Sequence, residues 1–559
     1  MRYISFALLL LLTLCIELPQ RAVAQEHKRV EVTTIYTPEV AQASKILPPA
    51  SIADSSDMDP DIHYNIHPDT WQIELEDHNF KPATAGYWDF SRARRFHTRI
   101  AGGAPMASDF AFNFLSQNVR VGYIGVSLDH KGNFSKNSNS EGVERSRAHS
   151  YDTQNNLSVI GGLASGRQTF EASLDYNFSI YNRYAELTFP NRLYFHDTEA
   201  KLRYGDSFTD LSRLNFGVEL HGGFWTHSPA PLTDEYEAAP QFDAGALVRL
   251  ARDFKGNVVG LSAEYDMWQA TKSPYRDIRF GVGVEYAREF HFMSLEASLG
   301  YLYDRVRERS SASHFIMPKL RLMFDVGYDA LRPYVDVSTT VSQNGVAELY
   351  KENPYIDYNA AYDALMSMPN TRSYNLVVGL SGIVGTSKFA YNVSLGANLM
   401  RDQRLWYINK VGTFGVAAAN NNRLFISADV EYRPVGGLVL SAKFTAHADN
   451  SEGEYIVDDP RMEGAINVKY GIKRWNFYLG GELMGKRRWS ADDAAAGIVY
   501  EAFTSPVTFD LRAGIAFKAS STVEIYVDGY NLLNDQRIYD YAYYYRNGIG
   551  CMAGVKIDF

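Results

Sequence analysis

Apolar and polar residues alternate with a period of two, in runs of about ten residues or more, to the last residue of this 559-residue chain. In 169–180, Phe170, Ala172, Leu174, Tyr176, Phe178 and Ile180 make one face, and Thr169, Glu171, Ser173, Asp175, Asn177 and Ser179 the other. In 507–518, Val507, Phe509, Leu511, Ala513, Ile515 and Phe517 stand against Thr508, Asp510, Arg512 and Lys518. The stretch 424–433 repeats the pattern in part, with Leu424, Ile426, Ala428, Val430 and Tyr432 against Ser427, Asp429, Glu431 and Arg433. A period of two puts alternate side chains on opposite faces of a strand. Strands in water average about five or six residues, whereas a tilted strand needs about 9–11 to cross a hydrocarbon core. A soluble sandwich array or propeller would leave these continuous apolar faces in water, and no fixed-period repeat supports one. The fold class expected is all-β, a closed transmembrane antiparallel β-barrel.

The connections supply an independent check. Short turns at 164–167, 254–256, 385–388, 434–437, 473–474 and 519–521 alternate with long polar stretches at 131–153, 181–193, 226–237, 345–371, 449–461, 485–506 and 531–548. Bacterial barrels have short turns on the periplasmic rim and long loops on the outer one. Alternation of short and long acts as a parity test, and it gives about 22 strands between Arg95 and Phe559. The strand-like segment 401–421 is assigned to an outer loop, because counting it as two crossings would move 449–461 to the turn rim. Both chain ends are then expected in the periplasm.

The first residues read as an export signal. Arg2 precedes the apolar run 6–12, too short to span a membrane, and Ala22-Val23-Ala24 offers a cleavage site before Gln25. A lipid-anchored reading at Cys15 is weaker, because Leu14 precedes it. The organisation expected is a signal peptide at 1–24, an extended segment at 25–94 and the barrel at 95–559. No later run of about 18 apolar residues predicts a membrane-spanning helix. Only Cys551 remains after cleavage, so no intramolecular disulfide forms, and its parity with Phe559 points it to lipid. The net charge of −10 offers no basic stripe for nucleic acid. With 38 Tyr, 31 Phe and 42 Gly, the composition favours strands with one apolar and one wet face.

The last strand and its predecessor carry a resemblance. In 549–559, Val555, Ile557 and Phe559 share one face, while Lys556 and Asp558 share the other. Gly554, Ile557 and the terminal Phe559 resemble the signal read by the barrel-assembly machinery, although Met552 stands where a polar residue is usual. Residues 522–535 run into Asn531-Leu532-Leu533-Asn534 and resemble the penultimate strand of TonB-dependent receptors. That resemblance covers the barrel and implies binding or passage of a solute across an outer membrane. It departs at the other end, since those receptors hold a folded plug of well over a hundred residues inside the barrel. Here about 70 residues follow Gln25, with Pro38, Pro48, Pro49, Pro60, Pro68 and Pro82 among them. Proline removes ladder donors, and the apolar content is low. The chain resembles a plug-deficient variety of Bacteroidota type, in which the tail plugs the lumen at most in part. Glu31, Val32, Thr33, Thr34, Ile35 and Tyr36 loosely resemble a TonB box, which pairs by strand addition. An extended tail touching the rim or lumen is the more economical reading.

The inward parity leans acidic, with Glu171, Asp175, Glu285, Asp429, Glu482, Asp510, Glu524 and Asp528 against Arg279, Lys443, Lys469, Arg512 and Lys556, as a wet lumen requires. Tyr539, Tyr541, Tyr543, Tyr544 and Tyr545 in the last loop are candidate contacts for a ligand or partner, as are Tyr350, Tyr355, Tyr358 and Tyr362. A girdle and loop packing would equally use them. The 13 His are scattered and no HExxH, GxSxG or CxxC occurs, so neither catalysis nor a metal or other cofactor is expected. Expected partners are outer-membrane lipid and lipopolysaccharide, the assembly machinery, and a surface lipoprotein or TonB. A non-transporting structural or assembly subunit is the alternative.

Overall fold

The computed structural model describes residues 95–116, 122–135, 151–185, 192–230, 240–270, 276–306, 313–357, 368–385, 388–452, 456–493 and 498–559. The cleavage site, the segment 25–94 and Glu31 to Tyr36 fall outside the described residues, as do Tyr358 and Tyr362. Twenty-two antiparallel strands form one closed sheet, from Phe96–Ala104 to Gly550–Asp558. The last strand pairs on one side with Val523–Tyr530 and on the other with the first, His97 facing Asp558 and Ala104 facing Cys551. Phe96 and Phe559 clasp the seam through reciprocal backbone hydrogen bonds of 2.7 and 3.0 Å. Closure joins the first strand to the last and so removes the free edges of an open sheet; the pairing is shortest between Ser313–Phe324 and Arg332–Ser342, where it spans 320–323 against 334–337.

Which face is wet follows from exposure. Phe170, Leu174, Leu299, Ile466 and Ile515 are large apolar side chains left exposed on the outer face. Their neighbours in sequence turn inward and tie to one another. Arg203 bridges Glu171 at 3.3 Å and Glu219 at 2.8 Å, and Arg249 meets Glu285 at 2.7 Å. Arg512 reaches Glu482 and Asp510 at 2.9 and 2.7 Å. The alternation expected from sequence is therefore realised with its polar parity inward. Cys551 is exposed on the outward parity.

The turns on one rim are tight. At 254–257, Phe254 and Asn257 exchange backbone hydrogen bonds of 2.8 and 3.3 Å while Lys255 and Gly256 both take positive φ, at 59° and 83°. This is the two-residue turn whose twist matches the flanking strands. The opposite rim differs from the expectation of plain loops. Strands Phe389–Lys410 and Thr413–Tyr432 continue well past their neighbours as one hairpin, with register shifts at Met400/Gln403 and Ile408/Lys410. The 401–421 segment thus connects two adjacent barrel strands, as parity demanded, but as an extended ladder. The long connection after Trp475–Met484 holds its own hairpin, Arg488–Asp493 with Ile498–Thr504, whose first strand pairs in parallel with the 389–410 strand. No helix among the described residues is long and apolar enough to cross a membrane.

Candidate functional site: a capped lumen

Below the long-loop rim the inner wall is polar; at the rim it turns aromatic. Leu193 and Phe195, Trp225 and His227, and Trp268 and Ala270 occupy inward positions at the long-loop ends of the adjacent strands Arg192–Asp206 and Asn215–Ala230 and of Asn257–Ala270, one strand further round, all buried. Against them packs a short helix, α1 (Val346–Glu352), which buries Val346, Ala347, Leu349 and Tyr350. Tyr350 stands 4.6 Å from the His227 ring and 5.5 Å from Phe195, centroid to centroid. The other loops close over this helix. Tyr355 stacks on Tyr544 of the last loop at 3.5 Å and 15°, and Phe414 of the long hairpin lies 6.0 Å from Tyr541. Trp489 of the 485–506 hairpin is fully buried in the same cluster. The buried hydrophobic cluster among the described residues is thus a cap built from loops on the rim of the barrel wall.

Polar ties hold the cap in register. Arg183, buried, donates to the carbonyls of Pro354 and Ile356 beyond α1. Glu352 accepts from Trp406 Nε1 at 2.7 Å and pairs with Arg404 at 2.8 Å. Gln241 Oε1 accepts the Ala347 N–H at 2.9 Å, and Lys351 meets Asp197 of the wall at 2.8 Å. Tyr544 donates to the Gly412 carbonyl at the hairpin tip at 2.6 Å. Burial lowers the Lys351 ammonium, but the hydrogen bond and charge of Asp197 outweigh it and leave the group raised. Burial likewise raises the Glu348 carboxyl. In the loop before 462, burial pushes Asp458 up to about 7 despite Arg487 at 3.5 Å, with Asp459 and Glu352 adding to the rise.

Under the cap lies a cavity of about 1110 Å³. Ile538, Tyr545 and Arg546 of the last loop form its ceiling, and Lys469, Arg512, Lys556, Glu482, Glu524 and Asp528 project from its wall. Lys556 meets Glu524 at 3.0 Å and lies over the Tyr526 ring at 4.8 Å. Among the described residues no cluster of three or more His, Cys, Asp or Glu is arranged to hold a metal ion. The mixed charges suit a hydrated polar solute better than an apolar one.

The candidate tyrosines of the last loop serve the cap directly. Tyr544 is buried and Tyr541 packs on Phe414 and Tyr355. Tyr539 and Tyr543 lie 5.1 and 5.2 Å from Phe503, and the Tyr545 ring lies 4.5 Å from Tyr539, tilted by 40°. Gly554 and Ile557 lie on the closing strand, and Phe559 follows directly after it, exposed. Sequence reasoning missed α1, Arg183 and the Phe195, Trp225 and Trp268 wall. The available signal was a break in parity, since aromatic residues occupy positions that are polar lower in the same strands.

No protein-family model matches the sequence, and no curated protein matches it. Solved structures match by shape. A structure titled "Copper transporter OprC" matches with a TM-score of 0.63 at 13% identity, covering 84% of this chain and 82% of that one. The FrpB iron transporter from Neisseria meningitidis matches with a TM-score of 0.65 at 11% identity, over 84% and 82%. The ferripyoverdine receptor of the outer membrane of Pseudomonas aeruginosa gives 0.60 at 11%, over 84% and 72%. At such identities the likeness is one of fold. The chain has the closed-barrel architecture of these outer-membrane transporters and receptors.

Proposed function

We propose that this chain is an outer-membrane barrel that binds or passes a polar solute, with the loop cap as its gate. The observation that carries the reading is the charged cavity directly beneath a cap held to the wall by specific polar ties. The tight-turn rim then faces the periplasm, with both ends of the barrel on that side, and the cap faces outward toward lipopolysaccharide and any surface lipoprotein. In this reading Gly554, Ile557 and Phe559 address the chain to the assembly machinery. Glu31 to Tyr36 offer a strand that TonB, or the chain's own rim, would take up by edge pairing. A plug-deficient design of Bacteroidota type fits the short proline-rich stretch before Arg95. Tyr539 and Tyr543, at the edge of the cap, are the residues proposed to meet a ligand or partner first.

A second reading has one observation in its favour: the cap core is dry and aromatic, as suits a barrel that stays shut as a structural or assembly subunit. Single-channel recording in a planar bilayer separates the two. Steady conductance that grows when residues 25–90 are removed is the expected result. A barrel silent in both forms, recovered stoichiometrically with other envelope proteins, would overturn the transport reading.

A further inference from the structure

The outer, lipid-facing side of the wall carries a cationic feature at the tight-turn rim. In Gln241–Asp253, Val248 is exposed, and Arg252 and then Phe254 continue its parity. In the adjacent Asn257–Ala270, Leu261 is exposed and Asn257 shares its parity. In Arg276–Glu289, next in the sheet, Val282 and Val284 are exposed, and Tyr286, Arg288 and then Phe290 follow on the same side. Elsewhere around this rim the outward positions are aromatic or aliphatic, as at Tyr204, Tyr432, Ile472 and Trp475, all exposed. Here they hold two guanidinium groups.

Asn257 organises the patch. Its Oδ1 accepts from the Tyr286 hydroxyl at 2.9 Å and from Arg288 Nη1 at 3.1 Å, while its Nδ2 donates to the Phe254 carbonyl at 2.9 Å. The Arg288 guanidinium lies over the Phe290 ring at 4.6 Å, and that of Arg252 over Phe254 at 5.1 Å. Both side chains thus run along an aromatic face toward the rim, as a cation on a lipid-facing surface does. Across the ladder Arg252 faces Val259 and Arg288 faces Asn257. The two therefore start two strands apart, about 10 Å, and flank one strip of the outer face.

A guanidinium has five N–H donors, and Arg288 spends one on Asn257. Among the described residues no carboxylate lies within ion-pair distance of either arginine, and the connections beside these strand ends, 207–214, 254–256 and 290–292, are all described. The nearby acids are turned elsewhere. Asp253 Oδ1 accepts the Gly256 N–H at 2.6 Å, Asp210 Oδ1 accepts the Ser212 N–H at 3.0 Å, and Glu289 takes the inward parity of its strand. A lipid-facing cation is tolerated at the depth of the headgroups, and a phosphodiester there matches the planar fork of arginine. In a zwitterionic headgroup the ammonium would sit beside the same two guanidinium groups and oppose binding. An anionic one has no such cation.

We propose that Arg252 and Arg288, set by Asn257, Phe254 and Phe290, clamp the phosphodiester of an anionic phospholipid in the leaflet at the tight-turn rim. Its acyl chains lie on the apolar strip of Val248, Leu261 and Val284. The site faces lipid and not the lumen, so it is separate from the solute cavity. The orientation proposed above makes that leaflet the periplasmic one; the clamp does not depend on solute passage.

Native mass spectrometry of the full, folded chain in detergent tests it, with phosphatidylglycerol and phosphatidylethanolamine of the same acyl chains added in turn. Folded protein is recognised by its altered migration when unheated. The parent should retain phosphatidylglycerol at roughly tenfold the occupancy of phosphatidylethanolamine. Arg252→Gln with Arg288→Gln, which keeps polar side chains of similar length, should lose that preference. Lys473→Gln with Arg474→Gln, which removes two exposed cations from another turn of the same rim, should keep it. Equal retention of the two lipids by the parent, a result that needs no variant, would overturn the clamp, as would equal loss in the two double variants. Lipid A held in place of phosphatidylglycerol, and released by the first double variant, would overturn the phospholipid assignment and reverse the orientation proposed above, while the conductance test of solute passage would be untouched.

Discussion

Replacing Gly554 with leucine is expected to leave the barrel unclosed. Gly554 faces Ala101 on the first strand and Tyr526 on the penultimate one. A Cβ there would lie 2.6 Å from the Ala101 Cβ and 2.7 Å from both the Ile100 carbonyl oxygen and the Tyr526 ring. The backbone oxygen has no room to move without breaking the ladder, and the ring is held beneath Lys556. The same fit recurs where Tyr334 covers Gly379, Phe425 covers Gly396 and Tyr530 covers Gly550, but at Gly554 the Cβ would also meet the first strand, across the pairing that joins the last part of the sheet to the first. An unclosed sheet presents two free edges, which pair with other chains. The folded, heat-modifiable form should fall by roughly tenfold or more, as a cost above about 1.4 kcal/mol implies. Ala553→Leu, whose side chain points to lipid, should fold like the parent. Equal folding of the two variants would show that the seam is not what closes the barrel.

The second large effect is expected at the cap. Leu349→Asp puts a carboxyl at a fully buried position of α1, with only apolar and aromatic neighbours in the cluster. An uncompensated buried charge costs about 3–5 kcal/mol, more than a seven-residue helix recovers from its own hydrogen bonds. The loop should leave the mouth while the barrel persists, because no strand pairing of the wall runs through it. Protease cleavage within 343–370 should accelerate by about a hundredfold or more, with heat modifiability unchanged. A loop as resistant as the parent's would mean that α1 does not depend on this core.

Much of the wall was legible because a barrel strand repeats one rule along its length. Phe170 to Ile180 declare their face by parity alone, and turns such as Lys255-Gly256 declare the rim. The hairpin at 401–421 shows the limit of that rule: backbone hydrogen bonding continues past the lipid boundary, so alternation alone does not mark where a crossing ends. The cap was hidden for a different reason. Its contacts join Arg183 to Ile356 and Tyr355 to Tyr544, residues from separate loops whose meeting is set by the closed wall and not by local pattern. The closeness of Arg252 and Arg288 likewise has no signature in sequence, since it exists only once their strands flank Asn257–Ala270. The tyrosines of the last loop were visible as a cluster, but only the geometry reveals that they pack chiefly on Tyr184, Tyr355, Phe414 and Phe503 of other segments.

Nitroxide scanning along the strand Gln168–Asn182, in a Cys551→Ser background reconstituted in lipid, tests the orientation of the wall most directly. Collision with dissolved oxygen should dominate at Phe170, Ala172, Leu174, Tyr176 and Phe178, and collision with a water-soluble nickel chelate at Glu171, Ser173, Asp175 and Asn177. Accessibility that shows no period of two, or the opposite phase, would contradict a barrel whose apolar side meets lipid.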